Sequence, residues 1–155
     1  MKKYALTLLA FIALLINPYL TKLHAQAKEA TVKVTGEVIT PLDLKLADLQ
    51  QFKQTEVQRK DRDGKDHIYT GVILADILQK AGATIGKDLT KENLAKYVLV
   101  EASDGYQVVF GLAELDKGFT DRLIILATQI DGKPLDPRDG PFVLLCRKRK
   151  KPQGV

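Results

Sequence analysis

The chain has 155 residues, of which 45% are hydrophobic and 28% are charged, so it suits one folded domain and excludes global disorder. Its formal net charge of +5 comes from the two ends of the sequence. Residues 28–146 contain 16 basic and 19 acidic residues, a net charge of −3, which argues against a nucleic-acid-binding domain. The single cysteine, Cys146, excludes an internal disulfide and a multi-cysteine metal site.

The first 27 residues have the pattern of a secretory signal peptide. Lys2 and Lys3 precede an apolar run at residues 5–16, and an Ala-Gln-Ala cleavage sequence runs from Ala25 to Ala27. A spanning helix needs about 20 apolar residues, so this run predicts no stable membrane span. We expect cleavage after Ala27 and export by the general secretory route, which gives a periplasmic or secreted protein.

After the signal peptide, short strands and short helices are predicted in alternation. The predicted strands cover 31–38, 54–59, 67–70, 97–103, 106–111, 122–130 and 142–145. The predicted helices cover 46–52, 74–81, 90–97 with Thr90 as N-cap, and 112–116. Strands and helices interspersed in this way predict an α+β fold with mixed β-sheets. The domain is expected to span residues 28–146, followed by a basic tail at residues 147–155.

Residues 74–81 carry the clearest helical pattern. Leu74, Ile77, Leu78 and Ala81 recur at helical spacing and form one apolar face. Gly82 follows directly, and glycine commonly ends a helix because it adopts the left-handed conformation without strain. The helix is therefore predicted to pack on the core with this face.

Asp104 and Gly105 separate two runs that are rich in β-forming residues. Asp-Gly is a preferred two-residue hairpin turn in which both residues have positive φ. This turn predicts a hairpin register that pairs Val100 with Val109.

The loop at residues 61–66 resembles an acidic calcium loop only in part. The EF-hand template requires Gly at its sixth position and Glu at its twelfth, where this chain has Asp66 and Val72. A solvated hairpin loop is the better interpretation. His67 is the one histidine after residue 27, and no Ser-His-Asp arrangement follows from its spacing to Ser103.

Three acidic residues, Asp131, Asp136 and Asp139, lie in one Pro- and Gly-rich segment. They could chelate a hard cation, but turn formation explains them equally well. Cys146 ends an apolar strand, where a cysteine is usually a small buried side chain. Arg147 and Lys148, which follow it, would lower the pKa of its thiol if it were exposed. No metal or catalytic residue is predicted from these patterns.

Taken together, four stretches resemble the sulfite-oxidase-like molybdopterin-binding domain family, in its small exported form. They are VTGEVITPLDLKLADL (34–49), YTGVILADILQKAG (69–82), YVLVEASDGYQVVFGLAELD (97–116) and LATQIDGKPLDPRDGPFVLL (126–145). The positions that match the family have turn and scaffold roles, and no cofactor contact is assigned to them. They are Gly71, Asp104, Gly105, Tyr106, Asp131, Gly132, Pro134, Gly140 and Pro141.

The resemblance implies the sulfite-oxidase-type fold, which in the full enzymes holds a molybdenum–pterin cofactor. In those enzymes a cysteine in the first half of the domain ligates molybdenum, and basic residues with backbone amides hold the pterin phosphate. No cysteine lies between Phe52 and Gly71, where the resemblance would place the ligand. The enzymes also continue past the last strand with a Val-Pro-Gly turn, a basic segment and a closing strand. This sequence reads CRKRKKPQGV there, so we expect an uncovered sheet edge, by truncation or a frameshift.

Three functions follow from these observations. The first is an exported, non-catalytic ligand-binding or accessory module of this fold, with an unknown small ligand or protein partner. The second is a molybdopterin-dependent oxidoreductase, for which the cofactor rests on resemblance alone. The third is a binder of anionic surfaces through the basic run at residues 147–151.

Overall fold

The computed structural model describes residues 29–148. Its strands are β1 (Val32–Val34), β2 (Leu42–Leu44), β3 (Gln54–Lys60), β4 (Asp66–Ile73), β5 (Tyr97–Glu101), β6 (Gln107–Gly111), β7 (Arg122–Ile130), β8 (Lys133–Pro134) and β9 (Val143–Lys148). Its α-helices are α1 (Leu46–Gln50) and α2 (Leu74–Ala81), and three 3₁₀ helices cover Gly86–Asp88, Lys91–Ala95 and Leu112–Glu114. The mixed α+β architecture predicted from the sequence is confirmed.

The main sheet is antiparallel throughout. Its strands lie in the order β3, β4, β7, and then β9 and β8 pair with successive parts of β7. Two further pairs, β1 with β2 and β5 with β6, form separate two-stranded sheets. The hairpin β3–β4 and the last strand β9 are therefore at opposite edges of the main sheet.

Strand β7 is the centre of the core. Ile124 and Leu126 point to one face of the sheet, and Ile125 and Ala127 point to the other. All of these side chains are buried, as expected for a strand covered on both faces. The prediction that residues 122–130 form a central strand is confirmed, because β7 pairs on both sides.

Helix α2 has the predicted bounds and the predicted buried face. Leu74, Ile77, Leu78 and Ala81 are all buried. Gly82 ends the helix in the left-handed conformation, with φ of 75°. In the described residues no helix is long and apolar enough to cross a membrane.

The hairpin β5–β6 corrects the predicted register. Val100 pairs with Val108, not with Val109. The loop has three residues between the paired Ala102 and Tyr106, and only Gly105 in it has positive φ. A three-residue loop with a left-handed glycine shifts the register by one residue relative to a two-residue turn.

Two other local predictions were wrong. The first strand stops at Val34 instead of residue 38, because Gly36 takes a φ of 100° and turns the chain. Thr90 makes no side-chain cap: its carbonyl oxygen accepts the Asn93 N–H at 3.0 Å, and a 3₁₀ helix follows. In both cases local backbone turns compete with the regular element that the pattern predicts.

Candidate functional site

The β3–β4 hairpin places a group of polar side chains at one end of the main sheet. Arg59 lies opposite His67, and Lys60 lies opposite Asp66. The connecting loop closes with two backbone bonds, from Asp61 N–H to the Lys65 oxygen at 2.9 Å and from Gly64 N–H to the Asp61 oxygen at 3.0 Å. The loop is thus an ordered turn, in agreement with the interpretation as a hairpin loop.

His67 is clamped between two carboxylates from different turns. Its Nδ1 lies 2.6 Å from Asp131 Oδ2, and its Nε2 lies 3.1 Å from Asp63 Oδ2. Both ring nitrogens can donate only in the imidazolium form, because ionised carboxylates only accept. The hydrogen bond to Asp131, followed by the one to Asp63, therefore raises the pKa of His67 above its ordinary value.

Asp131 connects this clamp to the turn between β7 and β8. Its Oδ1 accepts the Ile68 N–H at 2.9 Å, while its Oδ2 faces His67. Asp131 and Gly132 both have positive φ, 49° and 73°, which is the two-residue turn expected for Asp-Gly. The His67 hydrogen bond, followed by the Ile68 N–H, lowers the pKa of Asp131.

A second polar group lies beside the first. Tyr69 is buried, and its hydroxyl donates to Asp61 Oδ2 at 2.5 Å. Arg59 Nε donates to Asp61 Oδ1 at 2.6 Å, and its guanidinium carbon lies 5.0 Å from the centre of the Tyr69 ring. Burial, followed by the bond to Asp61, raises the pKa of Tyr69 to about 12. Burial also raises the pKa of Asp61, but the bonds from Tyr69 and Arg59 lower it overall.

A groove of about 330 Å³ opens between β3 and β9. It is lined by Val57, Gln58, Arg59, Lys60, Asp66, Leu145, Cys146 and Arg147. Alternate residues of a strand point to opposite faces of the sheet. Because consecutive residues of each strand line the groove, it runs along the edges of the strands and not across one face. Val57 and Leu145 are buried and supply its apolar part.

Cys146 corrects a prediction made from the sequence. Its thiol is exposed, where the apolar strand that precedes it predicts a buried side chain. The reason is that β9 pairs on one side only, with β7, so the side chain is not enclosed by a further strand in the described residues. Cys146 pairs with Ile124 and lies next to the cations of the groove.

Other sequence candidates lie apart from this end of the sheet. Ser103 is in the β5–β6 loop, in a different sheet from His67, and the His67 ring nitrogens are bonded to Asp131 and Asp63 instead. Asp104 Oδ1 accepts the Tyr106 N–H at 3.0 Å, which is a turn role.

The Pro- and Gly-rich segment between β8 and β9 forms its own turns. Asp136 accepts bonds from the backbone and the guanidinium of Arg138, and the Arg138 side chain lowers the pKa of Asp136 to about 2. Asp139 donates its N–H to the Asp136 carbonyl at 2.9 Å. Asp136 is thus engaged with Arg138 and Asp131 with His67, so the two carboxylates do not converge on one site.

A second, larger groove of about 700 Å³ lies at the end of α2. It is formed by the loop after β1 and the loop after α2, from Glu37 to Ile39 and from Gly82 to Asp88. At its rim the Lys96 ammonium bonds Glu37 and, at 3.2 Å, the Thr84 hydroxyl. Lys87, Asp88 and Glu37 line it together with apolar residues, so it is a mixed polar surface with charges of both signs.

The clamp was missed from the sequence for a physical reason. Asp63 lies four residues before His67, so a local contact between them could have been considered. The contact with Asp131 joins positions 64 residues apart and depends on the pairing of β4 with β7. No sequence signal marked that contact.

The residues of this site do not fit a thiolate-ligated molybdenum in the first half of the domain. The β3–β4 hairpin offers carboxylate, imidazole, phenol and guanidinium groups, and these are bonded to one another. Among residues 29–148, no group of three His, Cys, Asp or Glu side chains is arranged to hold a metal ion. The thiol in this part of the chain belongs to Cys146, on the opposite edge of the sheet.

Comparison with known proteins identifies the domain. The crystal structure of the sulfane dehydrogenase SoxCD from Paracoccus pantotrophus is similar, with a TM-score of 0.56 and 18% sequence identity. The match covers 74% of this chain and 33% of that chain, so this chain spans about a third of its structural neighbour. This likeness confirms the fold. A search of curated proteins gave no match.

A family model described as "Oxidoreductase molybdopterin binding domain" matches residues 60–144, which is more than half of the chain. The match begins at the end of β3 and ends within β9, so it includes the turns at Asp131 and at Gly105. Neither comparison points to nucleic acid as a partner. The chain belongs to the oxidoreductase molybdopterin-binding domain family.

Proposed function

We propose that this protein is an exported, non-catalytic ligand-binding or accessory module built on the molybdopterin-binding-domain fold. One observation carries the proposal: the β3–β4 hairpin contains no thiol, its Arg59, Asp61 and Tyr69 side chains are bonded to one another, and its His67 is held by two carboxylates. A fold alone does not supply a metal centre, because function depends on the side chains of the site. The signal-peptide pattern at residues 1–27 supports export.

A paired polar network is suited to holding the hairpin in one conformation. The clamp joins the β3–β4 loop to the β7–β8 turn through His67, and the bond between Asp61 and Tyr69 joins the same loop to the core. Such bonds position the strand edge beside the groove. The proposed activity is therefore binding at this end of the sheet, on a scaffold that is already ordered.

The second candidate is a molybdopterin-dependent oxidoreductase, the class to which the family description points. The observation in its favour is that the exposed Cys146 lies in a groove with Arg59, Lys60 and Arg147. Cysteine ligates metals through its sulfur, so an accessible thiol in a groove is a chemically suitable ligand. This candidate requires a ligand on β9, where the resemblance does not place one.

Pterin analysis distinguishes the two candidates. The whole chain and its Cys146→Ser variant are purified from cells that make the cofactor, and bound pterin is released by oxidation and measured by fluorescence. The proposal predicts no pterin above background in either protein. Pterin in the parent chain that is lost in the variant would establish the second candidate instead.

A further inference from the structure

The main sheet has two open edges that face the same groove. In the described residues β3 pairs with β4 alone and β9 pairs with β7 alone. An edge strand presents N–H and C=O groups that are not used by its neighbour, and such groups can pair with an added strand. Both edges line the groove with consecutive residues, so this backbone borders the groove directly.

The groove is more positive than the body of the protein. Its lining contains three cationic side chains and one carboxylate, that of Asp66. The cations are Arg59, Lys60 and Arg147. Among residues 29–147, neither Lys60 nor Arg147 forms an ion pair. Residues 28–146 as a whole carry 16 basic and 19 acidic residues, so this local excess of cations stands against an acidic body.

One of these cations is held in position. The Arg59 side chain is bonded to Asp61 and lies over the Tyr69 ring, and these two contacts restrict its conformation. A restrained side chain loses less entropy when a partner binds. Below the cations, the buried side chains of Val57 and Leu145 give the groove an apolar floor. The groove thus combines open backbone, an apolar floor and positive charge.

We propose that an extended acidic segment of a partner protein adds to the sheet in this groove, along β9 and facing β3. Strand addition supplies backbone hydrogen bonds, and side chains of alternating character give specificity. Apolar residues of the segment lie on the face of Val57 and Leu145, acidic residues lie on the face of Lys60, and Arg147 adds positive charge to the groove. This inference rests on the proposed function, for which it names the kind of partner.

Charge selects this occupant over two others. The residues that follow β9 continue the basic run 147–151, so the chain's own end would bring cations to a positive groove. A second copy that paired through β9 would add its own Arg147 to a groove that is already positive. Like charges placed together oppose both arrangements, whereas an acidic segment is complementary.

The test uses a fluorescein-labelled peptide of alternating Val and Glu, about eight residues long, which is within the usual length of a strand. Its affinity for the whole chain is measured by fluorescence anisotropy. Two control peptides are an alternating Val–Lys peptide and an acidic peptide interrupted by proline, which cannot pair along a strand. We expect the acidic alternating peptide to bind at least about tenfold more tightly than either control.

Charge-reversal variants locate the binding. Lys60→Glu and Arg147→Glu should each weaken binding at least about tenfold, whereas Lys117→Glu, an exposed residue outside the groove, should not. A chain that ends at residue 148 should still bind, which separates the groove from the basic end. Unchanged Tm values show that the variants remain folded.

Amide hydrogen exchange supplies the decisive readout. Peptide binding should slow exchange in β9 and leave β5 and β6 unchanged. Binding without protection of β9, binding insensitive to Lys60→Glu and Arg147→Glu, or binding that disappears with residues 149–155 would each overturn the inference. Peptide binding and pterin content are independent results. A chain that contains pterin and binds the peptide would overturn the proposed function alone. A chain that contains no pterin and does not bind the peptide would overturn this inference alone.

Discussion

Nδ1 of His67 lies 2.6 Å from Oδ2 of Asp131, and this contact ties the β3–β4 hairpin to the turn that ends β7. On its other side the same imidazole reaches Asp63 in the hairpin loop. The first consequence is a dependence of stability on pH.

The free energy of unfolding should contain a His67-dependent part that is lost at alkaline pH. The folded pKa of His67 is raised by Asp131 and Asp63, so protonation stabilises the fold. The contribution is complete below the unfolded value of 6.5 and disappears as pH rises through the folded pKa. Urea denaturation of the parent chain and His67→Gln across this range should give curves that converge as pH increases.

At acidic pH, protonation of Asp131 and Asp63 should remove the stabilisation that their bonds to His67 provide. The pKa of Asp131 is lowered by the His67 bond, and that of Asp63 is lowered by the Lys65 N–H and then by His67. Their contribution is present above the unfolded value of 3.8 and is lost as pH falls through the folded pKa values. A difference between the parent chain and His67→Gln that grows at alkaline pH contradicts the clamp. High salt should reduce the difference, since these groups are partly exposed.

Tyr69→Phe should reduce the free energy of unfolding by about 1 to 2 kcal/mol, because a hydrogen bond to a charged group is lost. The carboxylate of Asp61 keeps its bond to Arg59 in this variant, so the loss is partial. Tyr106→Phe is the matched control, since Tyr106 is exposed and only its backbone groups, not its hydroxyl, are bonded in the described residues. Urea denaturation measures both variants, and equal stability of the two would rule out a structural role for the Tyr69 hydroxyl.

Gly71→Ala should destabilise the fold by about 3 kcal/mol, because overpacking at a close backbone approach is costly. A Cβ at this position would lie 2.2 Å from the Leu126 oxygen and 2.5 Å from the Ala127 Cα. Gly105→Ala has open space around it and a φ of 87°, so it should cost only the left-handed backbone, about 1 kcal/mol. Thermal unfolding of both variants shows which substitution lowers the stability more. A smaller loss of stability for Gly71→Ala than for Gly105→Ala would mean that β4 and β7 lie further apart than in this structure.

Export should remove residues 1–27. The intact mass of the exported protein should correspond to a chain that begins at Lys28, because the cleavage sequence ends at Ala27. Ala27→Leu places a large side chain at the cleavage site and should leave the precursor uncleaved. Exported protein that retains residues 1–27 contradicts the signal peptide.

Local patterns predicted the elements of this fold better than their contacts. The apolar face of α2 and its end at Gly82 followed from spacing and from glycine chemistry. The β5–β6 register could not be predicted in this way, because Asp104-Gly105 fits both a two-residue and a three-residue turn.

The contacts within the site could not be predicted from local sequence patterns. His67 and Asp131 meet only because β4 pairs with β7, and the sequence does not state which strands pair. Cys146 follows four apolar residues, so its exposure depends on β9 being an edge strand. The groove requires both edges of the sheet to lie near each other, which is a property of the whole sheet.

We propose that this domain lacks a catalytic molybdenum centre. The most direct measurement is the molybdenum content, per chain, of protein purified from molybdate-replete cells, determined by mass spectrometry of the digested sample. A molybdenum enzyme purified from the same cells is the positive control. We predict a content at background level, and one molybdenum per chain would contradict this proposal.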